Sequence, residues 1–407
     1  MPEINSGDTA WVLISTALVL VMTPALAFFY GGMVRRKNAL STLNLSFVTI
    51  ALISLQWVLI GYSLSFGKGL GGFLGGLSYL GLNGVGAAPN AEYAPTIPHL
   101  AFMAFQMMFA IITPALITGA FVERIKFKTY ILFTLIWATL VYDPVAHWVW
   151  GTGGILRSLG ALDFAGGTVV HILAGFSALA FALVIGARKG FGNAPMEPHN
   201  IPFTVLGAGL LWMGWFGFNG GSALGANGLA VNALVTTNTA AAAAALSWML
   251  ITWRQHKPSV LGTVTGAVVG LVAITPAAGY VTPLAAIAIG GLASPISLLA
   301  IKARQKMGLD ESLDVWACHG IGGTWGALAT GLFASKLVNP AGADGLFYGN
   351  PSQFLIQAAA AAVSILFAFG MTYLLARLLK ALVGLRVTHD EEEVGLDISE
   401  HGEPAYA

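Results

Sequence analysis

The chain has 407 residues, 56% of them hydrophobic and only 9% charged, whereas soluble globular domains carry roughly 25% charged residues. A soluble single-core enzyme is excluded. Its 19 basic and 18 acidic side chains nearly cancel, and no basic block is long enough to track a phosphate backbone, so nucleic acid is excluded as a partner.

What remains is an all-α polytopic membrane protein in the lipid bilayer, with material for roughly ten to twelve crossings at about 20 residues each. The first apolar run, 10–34, follows Glu3 and Asp8 with no Lys or Arg before it. It therefore lacks the basic n-region of a signal peptide and reads as a span. Arg35, Arg36 and Lys37 come directly after it, which by the positive-inside rule puts the N-terminus outside. Further spans are predicted at 40–65, 99–122, 128–147, 165–187, 202–218, 229–253, 258–276, 283–301, 314–334 and 352–379, making eleven. In that topology only Lys68, Arg157 and Lys336 lie outside and the other 16 of the 19 basic residues lie inside. A helix gained or lost midway would destroy this asymmetry. Beyond the membrane domain (1–384), residues 385–407 hold Asp390-Glu391-Glu392-Glu393 and few large apolar side chains. They read as a flexible, acidic cytosolic tail without a core of its own, able to dock on basic inner loops. The single cysteine, Cys318, permits neither an internal disulfide nor a thiolate metal site.

Glycine is unusually frequent, 51 residues, and small residues let helices approach closely in lipid. Gly217-Phe218-Asn219-Gly220-Gly221 and Gly320-Ile321-Gly322-Gly323 are read as tight packing or broken helix ends. A phosphate-cradling role is disfavoured, because no P-loop lysine or strand accompanies them.

Ionisable side chains inside spans mark a pathway or site by default. His171 falls in the fifth span and His319 in the tenth. They either bond separately to backbone carbonyls or, if spans five and ten close two inverted five-helix halves (about 1–190 and 200–335) with the eleventh helix (about 352–379) outside them, meet near the midplane. Asp163 precedes the fifth span by two residues and Asp314 opens the tenth. Each suits an N-cap, and Asp163 near the outer mouth would also attract cations. Asp143 and His147, at the outer end of span four, are given no role. Among the aromatics, Trp148 fits a membrane-interface belt. Phe109, Trp215 and Phe218 fit one less well, because Phe218 adjoins Asn219 and Ser222, and an aromatic face beside a hydroxyl can hold a small cation.

At these residues the sequence resembles the ammonium transporter (Amt/MEP/Rh) family, in its prokaryotic Amt branch. The resemblance rests on the run from Gly160-Ala161-Leu162-Asp163 through Gly166-Gly167-Thr168 to His171, on Gly214-Trp215-Phe216-Gly217-Phe218-Asn219, on Thr275-Pro276-Ala277-Ala278-Gly279-Tyr280, and on Gly395-Leu396-Asp397 with His401-Gly402-Glu403 in the tail. It covers essentially the whole chain. It implies eleven helices with an inverted 5+5 repeat, a homotrimer in the cell inner or plasma membrane, one conduction path per subunit and no cofactor. It further implies an outer substrate site of Phe109, Trp150 and Ser222 supported by Asp163, a gate of Phe109 and Phe218, and a pore holding His171, His319 and Trp215. Ammonium or ammonia is the implied substrate, with methylammonium as analogue, and a PII-type signal protein the implied cytosolic partner. The segment between Trp150 and Asp163 is one residue longer than is usual in the family, while Trp150 itself favours Amt over Rh.

Chemistry and resemblance converge on one mechanism. Ammonium and potassium are too alike in size to be separated by it, but ammonium can lose a proton, and a dry aromatic gate penalises any ion that must shed water. Deprotonation at the mouth, passage of ammonia past neutral imidazoles and a separate proton route are expected. An electroneutral gas channel and an ammonium sensor signalling through its tail are the alternatives. No nucleophile–base pair or metal-ligand cluster suggests an enzyme.

Overall fold

A computed structural model describes residues 3–406; Met1 and Pro2 of the first predicted half and Ala407 of the tail lie outside the described residues. Because lipid offers no partner for backbone N–H and C=O groups, apolar spans must satisfy them internally, and each predicted span is helical. They are α1 (Ser6–Met33), α2 (Arg36–Phe66), α3 (His99–Ala120), α4 (127–150), α5 (Gly167–Ile185), α6 (Ile201–Gly221), α7 (Gly228–Trp253), α8 (Val260–Ile274), α9 (Pro283–Lys306), α10 (316–333) and α11 (Pro351–Leu382). Nine helices among the described residues are long and apolar enough to cross a membrane, so the chain is a multi-pass membrane protein. α8 is shorter, at 15 residues, and α10 is a six-residue π-turn continued by a 12-residue α-helix.

Local chemistry sets the helix starts. Side chains of Asn5, Asn200, Asn227, Ser259 and Thr282 accept from the first-turn amides of α1, α6, α7, α8 and α9, relieving donors that a helix leaves orphaned. Two small antiparallel ribbons, Gly69–Leu70 with Leu74–Gly75 and Pro89–Asn90 with Ala94–Pro98, fold the α2–α3 connection at the end of the bundle opposite the tail.

α1 packs most extensively on α6. A row of glycines on α6 receives it: a Cβ at Gly207 would collide with the Phe29 backbone, one at Gly214 with Met22 and one at Gly217 with Leu18. Small residues thus replace the missing hydrophobic drive between helices in lipid. The Gly217–Gly221 run is therefore the closely packed last turn of a continuous helix, not a break. α5 lies against α10 and α11. At its contact with α10, the Gly175 Cα faces the Gly320 backbone so closely that a Cβ on Gly175 would stand 2.0 Å from the Gly320 nitrogen.

The tail corrects the expectation of a flexible extension. It forms α12 (His389–Val394) and α13 (Leu396–His401) and lies flat on the bundle end. Leu385, Val387 and Leu396 are buried. Glu392 bonds the Lys189 amide at 2.6 Å and Arg386 at 2.5 Å, and Asp397 accepts from the Leu40 and Ser41 amides at 3.1 and 2.8 Å, over the start of α2. The loops beneath are held by a buried ion network in which Glu123 joins Arg35 at 3.0 Å and Arg188 at 2.6 Å, and Arg188 joins Asp310 at 2.8 Å. Burial alone would raise the pKa values of Glu123 and Asp310. The facing Arg188, with Arg35 for Glu123 and Arg124 for Asp310, holds both below the usual carboxylate range.

Candidate functional site

Each of the two intramembrane histidines sits in a π-turn, a helical insertion common at functional sites. His171 lies in Gly167–Ile172 at the head of α5 and His319 in Trp316–Ile321 at the head of α10. With Gly175 and Gly320 allowing the helices to touch and Gly323 leaving room for the His171 Cβ, the two rings meet: Nδ1 to Nδ1 is 3.2 Å. One nitrogen must donate and the other accept, so two neutral rings hold complementary tautomers. His171 Nε2 is buried and has no partner among the described residues. Trp215 lies nearly parallel to the His171 ring at 5.5 Å and 26°, its indole fixed by a 2.9 Å bond to Thr275 Oγ1.

Phe218 comes next along this line, 6.1 Å from His171 between ring centroids. Phe109 lies over Phe218 at 4.2 Å and meets the Trp150 ring edge-on at 5.9 Å and 87°. These rings divide the interior. On the side opposite the tail is a cavity of about 410 Å³ lined by Phe109, Trp150, Asp163, Ser222 and Gln106. Past the phenylalanines a chamber of about 10 Å³, walled by Phe218, Trp215, His171 and His319, has space for roughly one water-sized molecule. Beyond His319 a third cavity of about 360 Å³ opens toward the tail, lined by Cys318, Asp314 and Tyr30 among others. The sequence-predicted residues thus fall in one row.

Polar groups at the first cavity are already oriented. Ser222 Oγ donates to the Phe218 carbonyl at 2.8 Å, which leaves the hydroxyl lone pairs for a donor. The Asp163 carboxylate accepts from four amides at the head of α5, those of Gly166, Gly167, Thr168 and Val169, at 2.6–3.1 Å. Its own carbonyl accepts the Trp150 indole N–H at 2.9 Å.

α10 is capped differently from the sequence expectation. Asp314 has a left-handed backbone (φ 58°) and its carboxylate pairs with Arg304 at 2.8 Å. The Val315 and Trp316 amides are taken by Glu311, at 2.9 and 3.2 Å. Trp148 is also not a membrane-interface residue: it is 6% exposed and donates to the Phe73 carbonyl at 2.7 Å. Sequence reasoning missed Glu311, which looks like one more loop acid, and Gln106, a lining residue whose Oε1 is buried without a partner among the described residues. Gln106 stands one helical turn before Phe109, a spacing that marks the same face. No group of three or more His, Cys, Asp or Glu placed to hold a metal ion occurs among the described residues.

The Ammonium Transporter Family model matches residues 10–406. The chain is 52% identical over 402 residues to the ammonium transporter of Bacillus subtilis (strain 168), spanning 98% of each chain. It is also 52% identical over 402 residues to ammonium transporter Amt1 of Archaeoglobus fulgidus, across 99% of this chain and 100% of that one. Among solved structures, Candida albicans Mep2 superposes with a TM-score of 0.91 at 37% identity, over 99% of this chain and 91% of that one. A sensor Amt protein superposes with a TM-score of 0.89 at 31% identity, over 97% and 98%.

Proposed function

This chain belongs to the Ammonium Transporter Family, and on that footing we propose that it recruits ammonium at the 410 Å³ cavity, removes a proton there and conducts ammonia past His171 and His319. The observation that carries this reading is the row itself: an outer cavity lined by aromatic rings, two overlapping phenylalanine rings, a one-molecule chamber and a hydrogen-bonded imidazole pair.

Phe109 and Trp150 present ring faces to a cation, and Ser222 presents lone pairs to an N–H. Asp163 holds the head of α5 and the Trp150 indole in place. Beyond Phe109 and Phe218 there is no room for a hydration shell, and an ion stripped of water loses several kcal/mol that nothing in the chamber returns. Ammonia, being neutral, loses little. Its lone pair accepts from a ring N–H and its hydrogens donate to a bare ring nitrogen, which complementary tautomers supply in alternation. The proton left behind travels separately through the imidazole pair. In purified proteoliposomes an ammonium jump gives a current and a potassium jump gives none; equal currents for both ions overturn the mechanism.

The same reading takes all eleven helices as crossings, with the N-terminus outside and the tail in the cytosol, and takes α1–α5 and α6–α10 as inverted repeats. The α1–α6 and α5–α10 contacts support that pairing. The protein then works as a homotrimer in the plasma membrane, with a PII-type signal protein binding the tail face. Mass measurement in detergent tests the trimer, and co-purification with PII under varied nucleotides tests the partner.

A further inference from the structure

Two more π-turns occur away from the conduction path, Trp57–Gly61 in α2 and Ala138–Tyr142 in α4. Gln56 precedes the first and Asp143 follows the second, and they join the two helices. Both hydrogens of the Gln56 amide are in use: Nε2 donates to Asp143 Oδ2 at 2.7 Å and to Thr139 Oγ1 at 3.2 Å. The Thr139 hydroxyl in turn donates to the Leu135 carbonyl. Gly61 leaves room for the amide, since a Cβ there would stand 2.6 Å from Gln56 Oε1.

The remaining atoms do not balance. Asp143 Oδ1 and Gln56 Oε1 are both buried acceptors, and neither has a donor among the described residues. Asp143 is wholly buried and takes part in none of the ion pairs among the described residues. On its own helix the titratable neighbours are Tyr142 and His147. His147 Nδ1 lies 3.0 Å from the Ser65 carbonyl, which fixes it as the donor and leaves Nε2 bare. From α2 the groups presented are Gln56 and Ser65, neither of them ionisable near neutral pH. An ionised carboxylate in such a place meets no compensating charge and is costly in a membrane interior. The site is short of one hydrogen.

We propose that Asp143 is a proton-binding site, a neutral carboxylic acid whose hydroxyl donates to the Gln56 carbonyl while the Gln56 amide donates back. One proton satisfies both orphan acceptors and removes the charge. Neither residue lines the three cavities of the conduction path, so the proton is not the one released by ammonium. It closes the α2–α4 seam behind the Trp57–Tyr142 ring contact of 6.1 Å. The proposal does not depend on what the pore conducts.

Infrared spectroscopy of the lipid-reconstituted protein tests it. A protonated-carboxyl C=O band is expected at neutral pH, shifted by D2O and by 13C-labelled aspartate, which needs no variant. The band disappears in Asp143→Asn, whose thermal midpoint matches wild type because Asn reproduces the neutral state. In Gln56→Leu the band persists but moves to the frequency of a weaker hydrogen bond. If neutral-pH spectra show only carboxylate bands for Asp143, the site is ionised and bridged by water, and the proposal fails. It also fails if the midpoint rises with potassium or sodium in wild type and not in Asp143→Asn, which makes the ligand a metal cation.

Discussion

The backbone carbonyl of Asp163 holds the Trp150 indole at 2.9 Å while the side chain of the same residue caps the helix that carries His171. In the proposed mechanism recruitment and conduction are therefore tied at one residue. Asp163→Asn keeps one acceptor oxygen and leaves two of the four amides orphaned, and Asp163→Ala leaves all four. Helix capping is worth about 0.5–2 kcal/mol, so a graded fall in thermal midpoint is expected, Ala below Asn. Methylammonium uptake should weaken in the same order, and an Ala variant with wild-type uptake removes Asp163 from the site.

Replacing His171 with Ala orphans the 3.2 Å partner nitrogen of His319. Loss of a buried partner costs about 1–3 kcal/mol, which a large helical bundle tolerates, so the protein still assembles. Ammonium current falls by at least about tenfold, ~1.4 kcal/mol of barrier. His171→Asp restores an acceptor and adds charge, and is expected to conduct while admitting potassium. Paired ammonium and potassium currents on both variants decide it: wild-type behaviour in both makes the histidines structural.

Gly175→Ala tests the helix contact that brings the rings together. The added methyl meets the Gly320 backbone, where no rotamer change relieves it, and overpacking of this kind costs typically 1–3 kcal/mol. α5 and α10 are pushed apart, and ammonium current drops although every lining side chain is present. An unchanged current at unchanged stability shows that the contact does not set the ring spacing.

The tail face is expected to open in acid. Glu123 and Asp310 titrate below their unfolded values, which are about 4.3 and 3.9. Their stabilisation is therefore complete above those values and is lost as pH falls through the lower folded ones. Hydrogen exchange of the tail amides should stay slow at about pH 5 and accelerate below about pH 4. Arg188→Ala strands the Asp310 carboxylate and leaves Glu123 with Arg35 alone, at a cost of about 3–5 kcal/mol for a broken buried pair, and moves the opening to higher pH. Tail exchange insensitive to pH in wild type contradicts the network's role.

For topology, Ala91→Cys and Asp390→Cys, both at exposed positions, should react with impermeant reagents from opposite sides of the membrane. Labelling of both from one side rejects an odd number of crossings.

The helices were legible because the bilayer leaves backbone groups no choice, and caps such as Asn227 and Ser259 stand where the apolar runs begin. His171 and His319 were legible because ionisable residues inside an apolar run are conspicuous, whereas the pairing of Phe109 with Phe218 was legible only through the family resemblance. Partner choice was not legible. Asp314 and Glu311 are equally good caps in one dimension, and only Arg304, claiming the first, leaves the amides to the second. Trp148 carries the composition of a belt residue, and its burial depends on Phe73 and Phe367 arriving from distant segments. The tail's composition gave its charge but not the buried Leu396 and Asp397 that fasten it. π-turns leave no mark in hydrophobic periodicity.

Under the proposed mechanism, complementary tautomers would give the imidazole pair a memory. With His171 in the tautomer that carries its hydrogen on Nδ1, a proton accepted at Nε2 would displace the Nδ1 proton onto His319, whose Nε2 proton would then leave on the tail side. Afterwards both rings hold the opposite tautomer, and the entry nitrogen is occupied. A second proton from the same side is refused until the first move is undone or the rings exchange hydrogens with a passing molecule. In the proposed mechanism the pair would therefore work as a turnstile that resets once per proton, and ammonia, with both a lone pair and hydrogens, is a molecule able to reset it.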